Sequence, residues 1–258
     1  MTQDKMEARI EALVARMTRQ EKIGQLTMVQ GDASGLSGAW LDTIRAGRAG
    51  SVLGVWDAAE IRQAQDAALE SRLGIPLMIT ADVLHGHRTI FPVPLGEAAA
   101  FDPILWETTA SAAAEEAVAA QIGLTYAPML DVARDPRWGR MAESFGEDPW
   151  LGARFAEAKV KGFQKDFPGA GTLAATAKHL GAYGAVTAGR EYGSADISLR
   201  SLHEIHLTPF AAAVRARVAS IMPSFNDLAG VPMTPNAGIL RDIVRKCWGF
   251  DGVIVSDF

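Results

Sequence analysis

Gly249-Phe250-Asp251-Gly252-Val253-Ile254-Val255-Ser256-Asp257-Phe258 closes the chain and decides how the rest is read. Val253-Ile254-Val255 is a β-branched run and is expected to be a buried strand. Asp251-Gly252 punctuates its start, and Ser256-Asp257 follows it. A carboxylate at the carboxyl end of a buried parallel strand is where an α/β barrel keeps its chemistry.

Working back from that end, short apolar runs alternate with helical patterns. Residues 50–55, 75–79, 124–127, 173–177, 220–222 and 253–255 read as strands. Residues 58–71 read as a helix with Ile61, Ala64, Ala68 and Leu69 inward. Residues 103–121, with Pro103 in the first turn, 149–165, 199–214 and 236–248 are further helices. Nearer the start, Ile10, Leu13, Val14 and Met17 fall at helical spacing. Thr18-Arg19-Gln20-Glu21 is a capping box that opens a second short helix. Residues 31–38, 134–148 and the glycine-rich 181–193 read as loops. The alternation predicts an α/β fold with a parallel sheet, and no Gly-x-Gly-x-x-Gly joins a strand to a helix, which disfavours a dinucleotide fold. Polar residues gather at the strand ends: Asp82, Asp131, Lys178-His179, Ser224 and Asp257. One such Asp is an ordinary turn residue; the set together resembles a barrel's catalytic face.

The composition is ordinary for a soluble globular protein. The 258 residues are 48% hydrophobic and 21% charged, with a net charge of −5, which disfavours nucleic acid as a partner. Cys247 is the one cysteine, so no disulfide framework exists; it is expected to be a buried, inert thiol. No signal-like or membrane-spanning run is present. The expected location is cytoplasmic, or periplasmic if a leader has been removed.

The motifs come in a specific order. They are Met17-Thr-Arg-Gln-Glu-Lys-Ile-Gly-Gln-Leu26, Asp82-Val-Leu-His-Gly86 with Thr89-Ile-Phe-Pro92, Ala127-Pro-Met-Leu-Asp131, and Asp135-Pro-Arg-Trp-Gly-Arg140 with Glu143-Ser-Phe-Gly-Glu-Asp148. Lys178-His179 with Gly189-Arg-Glu-Tyr192, Leu202-x-Glu204 with Pro209-Phe210, and Trp248-Gly-Phe-Asp-Gly with Ser256-Asp257 complete them. Ordered this way over nearly the whole chain, they resemble the N-terminal barrel domain of glycoside hydrolase family 3. The resemblance implies an α/β fold, a (β/α)8 TIM-barrel-like domain over residues 1–258, incomplete at its C-terminal end. It implies a retaining, exo-acting β-glycosidase that takes terminal β-linked glucosyl residues, with no metal and no cofactor. Asp257 matches the family's nucleophile. Asp82, Arg140, Lys178 and His179 match its sugar-binding residues, and Met222 is placed with that set. Arg190 and Glu191 are expected to support them from the 181–193 loop.

Departures from the family pattern are also visible. Phe258 stands where many relatives have Trp or His, and Phe225 where many have Tyr. No residue matches the acid/base, which most members of the bacterial periplasmic β-glucosidase branch, the one resembled most, carry on a second domain that is not in the chain; the polypeptide alone is therefore expected to be poorly active. The short N-acetylglucosaminidase relatives carry an Asp-His acid/base pair in the loop after Lys-His; residues 181–193 hold no histidine.

Blander readings apply to other residues. His85 is expected to be a core histidine bonded to backbone, and Arg134 and Arg137 to tie down the 134–148 loop. The tryptophans are mostly expected in the core, with Trp138 the best placed to stack on a sugar. Two rival functions remain. One is a sugar-binding fragment without turnover. The other is a metal-dependent amidohydrolase-type barrel built on His85, His87, Lys178, His179, His203, His206 and Asp257; it is disfavoured because His203 and His206 lie inside a helix.

Overall fold

The computed structural model describes residues 3–31, 35–169 and 171–257. Phe258, one of the departures from the family pattern, lies outside them. The chain divides into two compact units, residues 1–81 with 120–122 and residues 82–119 with 123–258.

In the first unit, α1 (Gln3–Arg16) and α2 (Arg19–Gln25) precede β1 (Met28–Gln30). The capping box forms as expected: Glu21 N donates to Thr18 Oγ1 at 3.2 Å, and Thr18 N to Glu21 Oε2 at 2.8 Å. Arg72 donates to both oxygens of Glu21, and hydrogen bonding to Arg72 and Thr18 holds that carboxyl down to about 2. The apolar stripe of α1 is not buried: Ile10 and Val14 are exposed. Next come α3 (Gly38–Arg45), β2 (Ser51–Leu53), α4 (Ala58–Leu69) and β3 (Met78–Ala81). The three strands pair in parallel, with Val29 against Val52 and Val52 against Ile79, all buried. Strand β1 was not anticipated, because three residues between a helix and Gly31 are too few to show a period. In α4, Ile61, Ala64, Ala67 and Ala68 face inward, whereas Leu69 is exposed at the last turn.

In the second unit, α5 (Pro94–Ala98) and α6 (Pro103–Ala119) lead to β4 (Leu124–Thr125), α7 (Pro149–Gln164) and β5 (Ala174–Leu180). Then follow α8 (Leu199–Ser201), α9 (Thr208–Arg215) and β6 (Ser220–Pro223). A short antiparallel hairpin, β7 (Asp227–Leu228) with β8 (Val231–Pro232), was not foreseen. A π-helix (Gly238–Cys247) and β9 (Val253–Ile254) close the unit. Strands β4, β5, β6 and β9 pair in parallel in that order.

Three expectations change here. The 199–214 helix is broken: α8 runs into a π-helical stretch, Leu202–His206, before α9 starts at Thr208. The π repeat also displaces Cys247. Ile239 and Val244, five residues apart, are the buried pair of the last helix, and Cys247 falls off that line and is exposed. The β9 strand is not buried either. It is bonded to β6, and Val253 is 61% exposed. A β-branched run signals a strand and not its burial; a strand paired along one edge keeps an open side.

Packing of α6 against α7 is close. A Cβ at Gly162 would lie 2.4 Å from the Glu107 carbonyl oxygen, so only glycine permits the approach. Trp106 is buried beside it, donates through Nε1 to the Glu97 carbonyl at 2.8 Å, and meets Phe155 edge to face. The tryptophans divide: Trp106 and Trp138 are buried, while Trp40, Trp56 and Trp150 are exposed. Trp40 and Trp150 lie in helices α3 and α7, and Trp56 just before α4.

A buried ion pair joins α5 to α7. Lys159 Nζ lies 2.5 Å from Glu97 Oε2, and Thr109 donates to the same carboxylate. Burial pushes the Lys159 amine below its usual value, against the pull of Glu97. Removing one partner strands the other charge. Lys159→Ala is therefore expected to lower stability by about 3–5 kcal/mol in urea unfolding, and adding Glu97→Leu to recover a large part of it. An unchanged midpoint for the single variant would show the pair contributes nothing.

Candidate active site

All six sequence-predicted site residues belong to the second unit. Strand β5 supplies the centre. All seven of its residues are buried, and its register with β6 shifts between Lys178 and Leu180. Irregular pairing of this kind re-aims side chains that would otherwise alternate between faces. Here it puts Lys178 and His179, adjacent in sequence, in contact with different carboxylates.

Lys178 Nζ lies 2.5 Å from Asp82 Oδ1. The Lys178 side chain is buried, whereas that of Asp82 is 45% exposed. Asp82 is therefore paired with the lysine on one side and open to solvent on another. Met222 is the cross-strand partner of Lys178 on β6 and is nearly buried.

His179 is held by Asp131. Asp131 Oδ2 accepts from His179 N at 2.9 Å and faces Nδ1 at 2.9 Å. A carboxylate only accepts, so Nδ1 carries the proton and Nε2 is turned the other way. Nε2 lies 3.6 Å from Asp257 Oδ2. That is near enough for charge to act and too long for a good hydrogen bond. The Asp257 side chain is 17% exposed and that of His179 is 1% exposed. Asp131 Oδ1 is buried with no hydrogen-bond partner among the described residues.

Arg140 grips Glu143 through two hydrogen bonds, Nε to Oε1 at 2.7 Å and Nη2 to Oε2 at 2.9 Å. Burial works against the Arg140 charge, but Glu143 and then Asp131 hold the guanidinium above its usual value. Burial likewise pushes Glu143 up, and is outweighed by the Arg140 hydrogen bonds and the charges of Arg140, Lys178 and His179, so the carboxyl stays low. The Arg140 guanidinium carbon lies 5.7 Å from the centroid of the Tyr183 ring, whose own centroid is 5.4 Å from that of His179. Arg140 thus joins the group through Tyr183.

Glu191 accepts from Trp138 Nε1 at 2.7 Å and from the Tyr183 hydroxyl. Glu191 thereby fixes the Tyr183 ring, which meets both Arg140 and His179. It also removes Trp138 from consideration as a stacking surface, because its ring is buried with Met129, Tyr183 and Val186. Burial, then the hydrogen bond and charge of Glu191, push the Tyr183 hydroxyl up, opposed by Arg140. Phe225 presents a ring where a hydroxyl was noted as lost; its centroid is 6.0 Å from that of His179 and 4.9 Å from that of Tyr183. The roles of Asp131, Glu143 and Tyr183 were not read from sequence, although Asp131 and Glu143 lie inside quoted motifs.

Other residues stand apart. His85 Nδ1 meets the Phe91 carbonyl at 3.0 Å, as expected of a histidine bonded to backbone. Arg137 binds Asp135, and Arg134 donates to the Glu147 carbonyl, tying down the loop as expected. Arg134, Arg137 and His206 line an open depression of about 610 Å³ that none of the six site residues lines. Among the described residues, no three His, Cys, Asp or Glu side chains gather as a metal would require. The amidohydrolase-type reading therefore has no ligand set there.

Comparison with known proteins follows the same lines. Residues 18–258 match the family model described as "Glycosyl hydrolase family 3 N terminal domain". The chain is 38% identical over 259 residues to a periplasmic beta-glucosidase of Salmonella typhimurium, covering 100% of this chain and 34% of that protein. A beta-xylosidase of Formosa agariphila is 41% identical over 75% of this chain and 29% of its own length. A crystal structure of a beta-glucosidase from Listeria innocua superposes with a TM-score of 0.91 at 38% identity, over 100% of this chain and 37% of that one. The same enzyme has been crystallised with glucose, and a mutant of it with laminaribiose. The chain thus spans about a third of the length of these relatives. Its fold is an incomplete (β/α)8 TIM-barrel-like domain. No helix among the described residues is long and apolar enough to cross a membrane.

Burial of His206 has a measurable consequence. Burial, countered by Asp131 and reinforced by Arg134, brings its imidazole from 6.5 down to about 4. Folded His206 therefore stays neutral where the unfolded chain takes up a proton. Its contribution is full above pH 6.5 and is lost as pH falls towards 4. The stability difference between the parent and His206→Gln is expected to shift by roughly 3 kcal/mol across that window. A pH-independent difference in urea unfolding would contradict it.

Proposed function

Because the chain belongs to the glycosyl hydrolase family 3 N terminal domain family, we propose that it forms the sugar-holding part of a retaining, exo-acting β-glycosidase. The substrate is a terminal, non-reducing β-linked glucosyl residue of a glucoside or oligosaccharide. The relatives' names, beta-glucosidase and beta-xylosidase, support that class. A periplasmic location accords with the name of one of them.

The observation that carries the reading is the placement of Asp257. It follows β9 at the carboxyl end of a parallel strand, partly open, with His179 Nε2 at 3.6 Å. A retaining mechanism needs an ionised carboxylate that attacks the anomeric carbon and is displaced later by water. Asp82, Lys178 and Arg140 offer one acceptor and two fixed donors to the hydroxyls of the same sugar, and Met222 an apolar side. Attack forms the bond from Asp257 Oδ to the anomeric carbon, while the glycosidic oxygen leaves with a proton from a general acid. Water then attacks the same carbon from the face the leaving group vacated, giving a proton back to the general acid, breaking the bond to Asp257 and giving net retention.

The general acid is a group other than these. Asp82 is paired with Lys178, Asp131 is bonded to the His179 ring, and Glu143 is held low by Arg140. A carboxylate held ionised by a cation is a poor proton donor. This supports placing the acid/base outside the described residues, on the second domain that this family branch carries. The same observation favours one alternative, a sugar-binding part that does not turn over unaided.

Three outcomes are expected. Proton NMR of the first-formed sugar shows the β anomer, and inversion to α would end the retaining reading. Asp257→Ala reduces hydrolysis of an aryl β-glucoside to background without weakening glucose binding more than a few-fold. In this chain alone, a glucose disaccharide is cleaved about 10²–10⁴-fold more slowly than an activated aryl β-glucoside, because the disaccharide depends on the missing proton. Equal rates would place a general acid within residues 1–258.

A further inference from the structure

Tyr192 is an exposed ring in a pinned loop. It is 70% exposed and has φ of 62°, a left-handed conformation that costs a residue with a side chain. An exposed aromatic is ordinary by itself. An exposed aromatic held in a strained conformation between two anchors is not.

The anchors lie on both sides of it. Glu191, the preceding residue, is fixed by the buried Trp138 indole and the buried Tyr183 hydroxyl. Gly193 N, on the following residue, donates to the Arg190 carbonyl at 2.9 Å and closes the turn. The loop also lies tight against Trp138 at Gly189, where a Cβ would come within 2.7 Å of the Trp138 backbone nitrogen. With both ends held, the Tyr192 ring rests on Phe225, with centroids 4.9 Å apart. Phe225 in turn meets the His179 ring, whose Nε2 faces Asp257. The Tyr192 ring is thus two ring contacts out from the histidine beside Asp257, with most of its surface open.

We infer that Tyr192 is a specificity-determining platform on which a second pyranose ring, the one on the leaving-group side of the cleaved bond, stacks. The inference rests on the β-glycosidase reading. A pyranose presents a face of C–H groups that packs on an aromatic face, and the phenol hydroxyl at the ring's edge can bond a sugar hydroxyl. The pinned loop means that little freedom is lost when the sugar arrives. The phenol is not needed for the stacking, so the contact belongs to the ring.

The test compares two probes, glucose and a β-1,3-linked glucose disaccharide, by NMR titration of this chain, a method suited to weak binding. In the parent, the disaccharide is expected to bind about fivefold more tightly than glucose. Tyr192→Ala is expected to erase that advantage and leave glucose affinity unchanged, while Tyr192→Phe keeps it. A disaccharide advantage that survives Tyr192→Ala, a parent that does not distinguish the probes, or a variant that weakens both sugars equally overturns the platform. Failure of glucose itself to bind the parent overturns the β-glycosidase reading and takes the platform with it.

Discussion

Charge neutralisation at the end of β5 is the constraint on which the site depends. Several carboxylates close together in a poorly solvated place repel one another and resist ionisation. Here partners are set among them: the Lys178 cation against Asp82, the Arg140 cation against Glu143, and the His179 imidazole between Asp131 and Asp257. The register shift between Lys178 and Leu180 makes this possible, because two neighbouring residues of one strand both serve the same site. Without Lys178 and His179, the acidic groups at the strand ends would be an unpaired cluster. With them, Asp257 sits 3.6 Å from an imidazole whose other nitrogen is bonded to Asp131.

Sequence reading recovered the parts of this arrangement that have a strong local signature. Apolar runs ending in Asp82, Lys178-His179 and Asp257 marked the strands and their polar tails. Those three tails and Met222 meet in one place, with Arg140 attached through Tyr183. The parts that escaped are those decided by tertiary contact. Strand β1 is three residues long and has no period to detect. Asp131 looked like any strand-end aspartate until its two contacts with His179 were seen. Trp138 sits two residues from Arg140 in sequence, yet its ring turns inward to Glu191. The exposure of Cys247 follows from a π repeat that no propensity scale predicts. Val253 carries a β-branched side chain and yet lies on an open strand.

The same pairing divides labour in catalysis. Each carboxylate tied to a cation is suited to bind hydroxyls or to orient a neighbour, and none of them to give up a proton. Under the proposed reading the chain supplies the nucleophile and the sugar-binding groups, and the proton comes from another source. Trapping the covalent intermediate isolates the part that this chain performs. A 2-deoxy-2-fluoro-β-glucosyl fluoride has a leaving group that needs little protonation, and its fluorine slows release of the glycosyl-enzyme, so the experiment does not wait on a general acid. The decisive measurement is mass spectrometry of the protein after that treatment. The account predicts one added fluoroglucosyl unit, mapped to the peptide that contains Asp257. Labelling at a different residue, with Asp257 unmodified, would contradict it.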